Sequence, residues 1–183
     1  MMIRNKYPAS LSLLLTGACY HLELLLWKLL PQGDELNAVL GGLWTIGQAG
    51  VLIILAHIYR SGVARPGRWT NACIAVAALG AVSYSVNYIF GYWLQLNTRA
   101  FLPLGALLTG TGMLLLGVRV VIARRWSGYL RFMPLAVGLY PFCVMFPLLA
   151  ITGHPDLTAI LGWGIPWMIL GMGMVRAGSW SSA

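Results

Sequence analysis

AVLGGLWTIGQAGVLIILAHIYR, residues 38–60, is the stretch that decides the fold. Its one formal charge is Arg60, at the very end. A membrane-spanning helix needs about 20 mainly apolar residues, and this run supplies them. Five further runs share its length and character. The six spans fall near 9–31, 38–60, 70–95, 101–123, 129–151 and 157–177. Between them lie PQGDELN, SGVARPGRW, QLNTR, RRWSGY and TGHPD, all rich in turn-forming residues. The spans lack the polar face at helical spacing that marks a soluble bundle. The expected fold is therefore an all-α integral membrane protein, one six-helix transmembrane domain over residues 1–183.

Composition agrees. The 183 residues are 59% hydrophobic and 9% charged, whereas a soluble domain carries roughly 25% charged residues. The net charge of +8 would suggest nucleic acid in a soluble chain. No basic run interleaved with exposed aromatics exists, so no nucleic-acid partner is expected. The charge instead orients the bundle. Arg4, Lys6, Arg60, Arg65, Arg68, Arg119, Arg124, Arg125, Arg131 and Arg176 fall on one side, with only Lys28 and Arg99 opposite. Asp34, Glu35 and Asp156 accompany that second pair. The positive-inside rule then predicts insertion in the cytoplasmic membrane with both termini in the cytoplasm. The basic MMIRNK followed by LSLLL resembles a signal peptide. Its apolar run is too long, contains Glu23 and precedes no small-residue cleavage site, so it reads as a retained helix.

The spans also pair. The second holds Gly41, Gly42, Gly47 and Gly50; the fourth Gly105, Gly110, Gly112 and Gly117; the sixth Gly162, Gly164, Gly171 and Gly173. Each of these ends in arginine followed by tryptophan: Trp69, Trp126 and Trp180. Asn37, Asn97 and Asp156 precede them as expected helix caps. This pattern predicts three repeated helical hairpins, with the glycine-bearing helices making the close contacts, within the chain or in a homo-oligomer. Pro134, Pro141 and Pro147 predict a kinked fifth span, and Pro166 a bent sixth.

Against this background, CYHLELLLWK (19–28) is anomalous: it places a carboxylate among apolar residues. A charge near the bilayer centre costs roughly 2.5–3.5 kcal/mol on insertion scales. Glu23 stands about 12 Å from the outer end of its helix at ~1.5 Å per residue, too deep for a short side chain to reach water. It is expected to face the bundle interior. On a helix it shares a stripe with Thr16, Cys19, Tyr20 and Trp27, while His21 turns away. At the same depth in the other spans stand Trp44, Gln48, Tyr84, Asn87, Tyr88, Thr109, Tyr140 and Trp163. Together with Tyr20 and Glu23 these are the expected ligand-binding residues of a pocket open to the outer side. The competing reading makes the amides and hydroxyls interhelical glue, worth about 0.6 kcal/mol each.

No metal site and no cofactor is expected. Cys19, Cys73 and Cys143 form no CxxC pair, and His21, His57 and His154 lie at different depths without ligand spacing. Three functions follow from these residues. The first is binding or transport of a small amphipathic or cationic molecule at Glu23. The second is a membrane-embedded enzyme with Glu23 as the catalytic general acid or base on a lipid or isoprenoid. The third is an accessory subunit whose partner is a heterologous membrane subunit. In each case the lipid bilayer is the surrounding partner.

Overall fold

The computed structural model describes residues 14–31, 33–94, 96–98 and 100–180. The start of the first expected span, Arg4, Lys6 and Arg99 lie outside the described residues. Among the described residues all regular structure is helical. A π-helical turn, Leu14–Ala18, leads into α1 (Cys19–Leu29). Then come α2 (Asp34–Ser61) and α3 (Arg68–Tyr88), the latter continued by a π-helical turn, Ile89–Trp93. After α4 (Phe101–Ala123) a 3-10 turn, Gly128–Phe132, opens a rod made of α5 (Met133–Tyr140), a π-helical Pro141–Met145 and α6 (Phe146–Thr152). The last rod is α7 (Leu157–Gly162) and α8 (Gly164–Trp180). Among the described residues, five stretches are long and apolar enough to cross a membrane: Asp34–Ser61, Arg68–Gly91, Phe101–Ala123, Gly128–Thr152 and Leu157–Val175.

The helices carry large apolar side chains on their outer faces, over a core that is itself mostly apolar and holds a few polar groups. On α1 the outward face is Leu22, Leu25 and Leu29, while Cys19, Tyr20 and Glu23 are buried. Elsewhere Ile46, Leu79, Val82, Leu107, Leu115 and Ile122 are exposed, and Gln48, Thr70 and Thr109 are inside. Apolar side chains on the outside, with the few mid-helix polar groups turned inward, are what a hydrocarbon solvent selects.

The rods close into a ring. α1 lies against α2 on one side and α7 and, through its leading turn, α8 on the other; α2 meets α3, α3 meets α4, α4 meets α5, and α5 meets α8. Several seams depend on absent side chains. A Cβ at Gly112 would stand 2.5 Å from the Ala77 backbone nitrogen and 2.6 Å from the Cys73 carbonyl oxygen. One at Gly138 would strike the backbone of Leu114, and one at Gly117 that of Leu135. Gly138 and Gly80 bring the odd spans into these contacts as well.

The fifth rod breaks where its prolines demand. Pro134 and Pro147 stand in the first turns of α5 and α6, and Pro141 begins the π-helical segment. Each new segment starts where the missing N–H removes a bond of the previous one. The bend in the last rod falls at Trp163, not at Pro166 itself. Pro166 has no donor for the carbonyl four residues back, that of Gly162, so α7 ends there. Capping differs from expectation at two of three sites. Asp156 Oδ1 accepts from the Ala159 amide at 2.8 Å and caps α7. α2, however, begins three residues before Asn37, because Asp34 and Glu35 suit its positive N-terminal turn. α4 begins after Ala100, so Asn97 lies in the connection and caps nothing.

Candidate functional site

The α1 stripe turns inward. Glu23 is only 2% exposed, and Tyr20 and Thr16 are buried on the same face. Tyr20 is held from both sides by glycine. A Cβ on Gly47 of α2 would stand 3.6 Å from its ring, an ordinary contact, and one on Gly164 of α8 would stand 3.0 Å from its Cβ and Cγ. Its hydroxyl accepts a hydrogen bond from Gln48 Nε2 at 2.9 Å.

From Tyr20 an aromatic chain crosses the ring of helices. Tyr20 meets Trp44 edge-on, with centroids 4.9 Å apart. Trp44 then contacts Tyr84 at 5.4 Å and Tyr88 at 5.5 Å. Tyr84 reaches Trp163 at 6.1 Å, and Trp163 reaches Trp167 at 6.2 Å. Four helices thus contribute rings to one cluster, with one pair edge-on and the others tilted rather than stacked face to face. Trp163 Nε1 is satisfied by the Val137 carbonyl at 2.8 Å.

Other polar atoms in the cluster are not. Glu23 Oε2, Trp44 Nε1, Tyr84 Oη and Thr16 Oγ1 are buried without a hydrogen-bond partner among the described residues. Leaving one such group unmet typically costs about 1–3 kcal/mol. Four such groups occur on α1 with its leading turn, α2 and α3: two hydroxyls, an indole N–H and a carboxylate oxygen. They offer an acceptor, a donor and two groups that can do either. A second feature adjoins the cluster. A cleft of about 170 Å³ opens between the start of α4, the Met145–Leu149 part of the fifth rod and the Pro155–Asp156 turn, and it ends on Tyr84.

Of the ten residues singled out from sequence, Tyr20, Trp44, Gln48, Tyr84, Tyr88 and Trp163 lie in direct mutual contact, with Glu23 one turn along α1. The remaining three stand elsewhere. Thr109 Oγ1 donates to the Ala77 carbonyl at 3.4 Å in the α3–α4 seam. Tyr140 Oη donates to the Ala159 carbonyl at 3.0 Å, tying α5 to α7. Asn87 is half-buried, and its carbonyl accepts from Thr98 Oγ1 at 3.1 Å. His21 is exposed, its Nδ1 donating to the Gly17 carbonyl of its own helix at 2.9 Å.

Two residues join the site from outside that set. Trp167 follows Trp163 by one helical turn, a spacing that puts both rings on one face. Thr16 extends the α1 stripe, but a lone threonine in a helix ordinarily bonds back to its own backbone. Thr45 does so here, to Gly41 at 2.9 Å; Thr16 does not. The cleft had no signal, since it arises where three non-adjacent segments meet.

Among the described residues, fold and site define an all-α bundle of long apolar helices, the class of an α-helical membrane protein, with an aromatic cluster in its interior. No protein-family model matches the chain, and no curated protein or solved structure is significantly similar to it.

Proposed function

We propose that the chain is a cytoplasmic-membrane protein with both termini inside, which binds or transports a small amphipathic or cationic molecule at Glu23. The observation that carries this reading is the cluster of buried polar atoms without partners around the aromatic chain, with one carboxylate among them. A cation satisfies both parts at once: it pairs with the acid and sits against ring faces. Tyr20, Trp44, Tyr84, Tyr88 and Trp163 supply the faces, and the Tyr20–Gln48 bond fixes the wall beside the acid. A bundle made of hairpins, with bent helices and a site inside the membrane, is a common transporter arrangement.

One observation favours an enzyme as the second reading. Glu23 Oε2 and Tyr84 Oη are both uncommitted, as an acid or base and an orienting hydroxyl would be on a lipid or isoprenoid substrate. The test is native mass spectrometry of the full chain released from mild detergent. A small molecule should accompany the native protein and be absent from Glu23→Gln. A molecule retained equally by both contradicts the role of Glu23. A heterologous subunit in place of any small molecule favours an accessory role.

A further inference from the structure

The cleft that ends on Tyr84 carries chemistry the Glu23 site does not use. Its walls are apolar, from Leu102, Ala106, Met145, Phe146 and Leu149, and its rim holds one acid, Asp156. Asp156 Oδ1 is taken by the Ala159 amide at 2.8 Å. A carboxylate has two oxygens and about four acceptor positions, so a cation can still be met there. The turn is fixed in place, because Tyr140 holds the Ala159 carbonyl at 3.0 Å. The wall is stiffened by the proline-broken rod, and Pro103 and Pro155 line the opening. An apolar cavity of about 150 Å³ stays dry and accepts benzene. The 170 Å³ here therefore suits a hydrocarbon end of about six carbons. At the floor, Tyr84 is backed by Trp44 and Trp163.

We infer that this cleft is a second binding site, which takes the apolar end of a small hydrophobic cation while Asp156 holds the charged head. An anion of the same shape is repelled at the rim, and a neutral one gains only the apolar contact. Glu23 is not among the residues that line the cleft, and Tyr84 is. A molecule here touches the same ring that borders the inner cluster, and occupancy of the cleft does not require Glu23.

Three six-carbon probes separate these contributions: 6-bromohexyltrimethylammonium, 6-bromohexanol and 6-bromohexanoate. Each is titrated into the full chain in lipid nanodiscs, with empty nanodiscs correcting for partition into lipid. Bromine quenches tryptophan on close approach, so a chain end at Tyr84 should quench Trp44 and Trp163 saturably. The ammonium is expected to saturate at about tenfold lower concentration than the alcohol, as one partly screened charge pair provides, and the carboxylate last. Asp156→Asn keeps a good helix cap and removes the charge, so it should bring the ammonium to within about twofold of the alcohol. In a Glu23→Gln background, which removes any contribution of the inner site, the ammonium should keep its lead over the alcohol and Asp156→Asn should still abolish it. The inference is overturned if the probes quench alike and without saturation, or if Asp156→Asn alters nothing. It is equally overturned if Glu23→Gln, and not Asp156→Asn, abolishes the preference, since the ammonium would then occupy the inner site.

Discussion

At the scale of single residues, the α1 stripe is the part of the site most legible in sequence. Helical spacing alone places Thr16, Tyr20 and Glu23 on one face, and the high cost of an acid in hydrocarbon turns that face inward. Depth counting also assembles Trp44, Gln48, Tyr84, Tyr88 and Trp163. It cannot separate them from Thr109 and Tyr140, because depth says nothing about each helix's rotation about its own axis. That rotation is set by backbone contacts such as the one at Gly80, which seats Thr109 in a seam. The Tyr20–Gln48 bond gives a direct prediction. Tyr20→Phe leaves the buried amide of Gln48 unmet and should destabilise the fold by about 1–3 kcal/mol. Adding Gln48→Leu should recover part of that loss, with a pair coupling between about 0.6 and 1.7 kcal/mol. Unfolding in a denaturing detergent measures both; zero coupling would mean that the 2.9 Å bond contributes nothing.

At the scale of elements, prolines and glycines write different instructions. Proline positions in the fifth span announce its breaks directly, because each lost donor ends a segment. Glycine positions announce close contacts without naming the partner, since any small face can meet any other. Which glycines matter follows from the backbone distances. Gly112→Ala puts a methyl against the Ala77 and Cys73 backbone, which has no side chain to move aside, and should cost about 1–3 kcal/mol. Gly42 has no neighbour within 4 Å of a built Cβ, so Gly42→Ala should be neutral or stabilise by up to about 1 kcal/mol. Thermal melts of the two variants in one detergent compare them; equal losses would contradict the seam. Asn37 and Asn97 show the limit of reading caps from sequence. Asp34 and Glu35 start α2 earlier, and a side chain near a helix start need not occupy the cap.

At the scale of the whole molecule, the helical class was legible because apolar length is counted directly, and the closing of the ring between α1 and α8 was not. Nothing in either segment names the other; Gly17 against Met168 and Gly164 against Tyr20 do so only once folded. The proposed orientation makes a prediction of its own. In a cysteine-free background, single cysteines at Ser127 and Gly67 should react with a membrane-impermeant maleimide only after the inner face is opened. One at His154 should react in intact cells. The reverse pattern would invert the bundle and place the Asp156 rim on the inner side. The central claim, that the buried carboxylate faces a filled polar site, is tested most directly by an experimental density map of the protein in a lipid nanodisc. The expected result is ordered density from water or a ligand within hydrogen-bond distance of the Glu23 carboxylate and bordered by Trp44 and Tyr84. A carboxylate turned to lipid, or closed off in a dry protein contact with no space beside it, would contradict the claim.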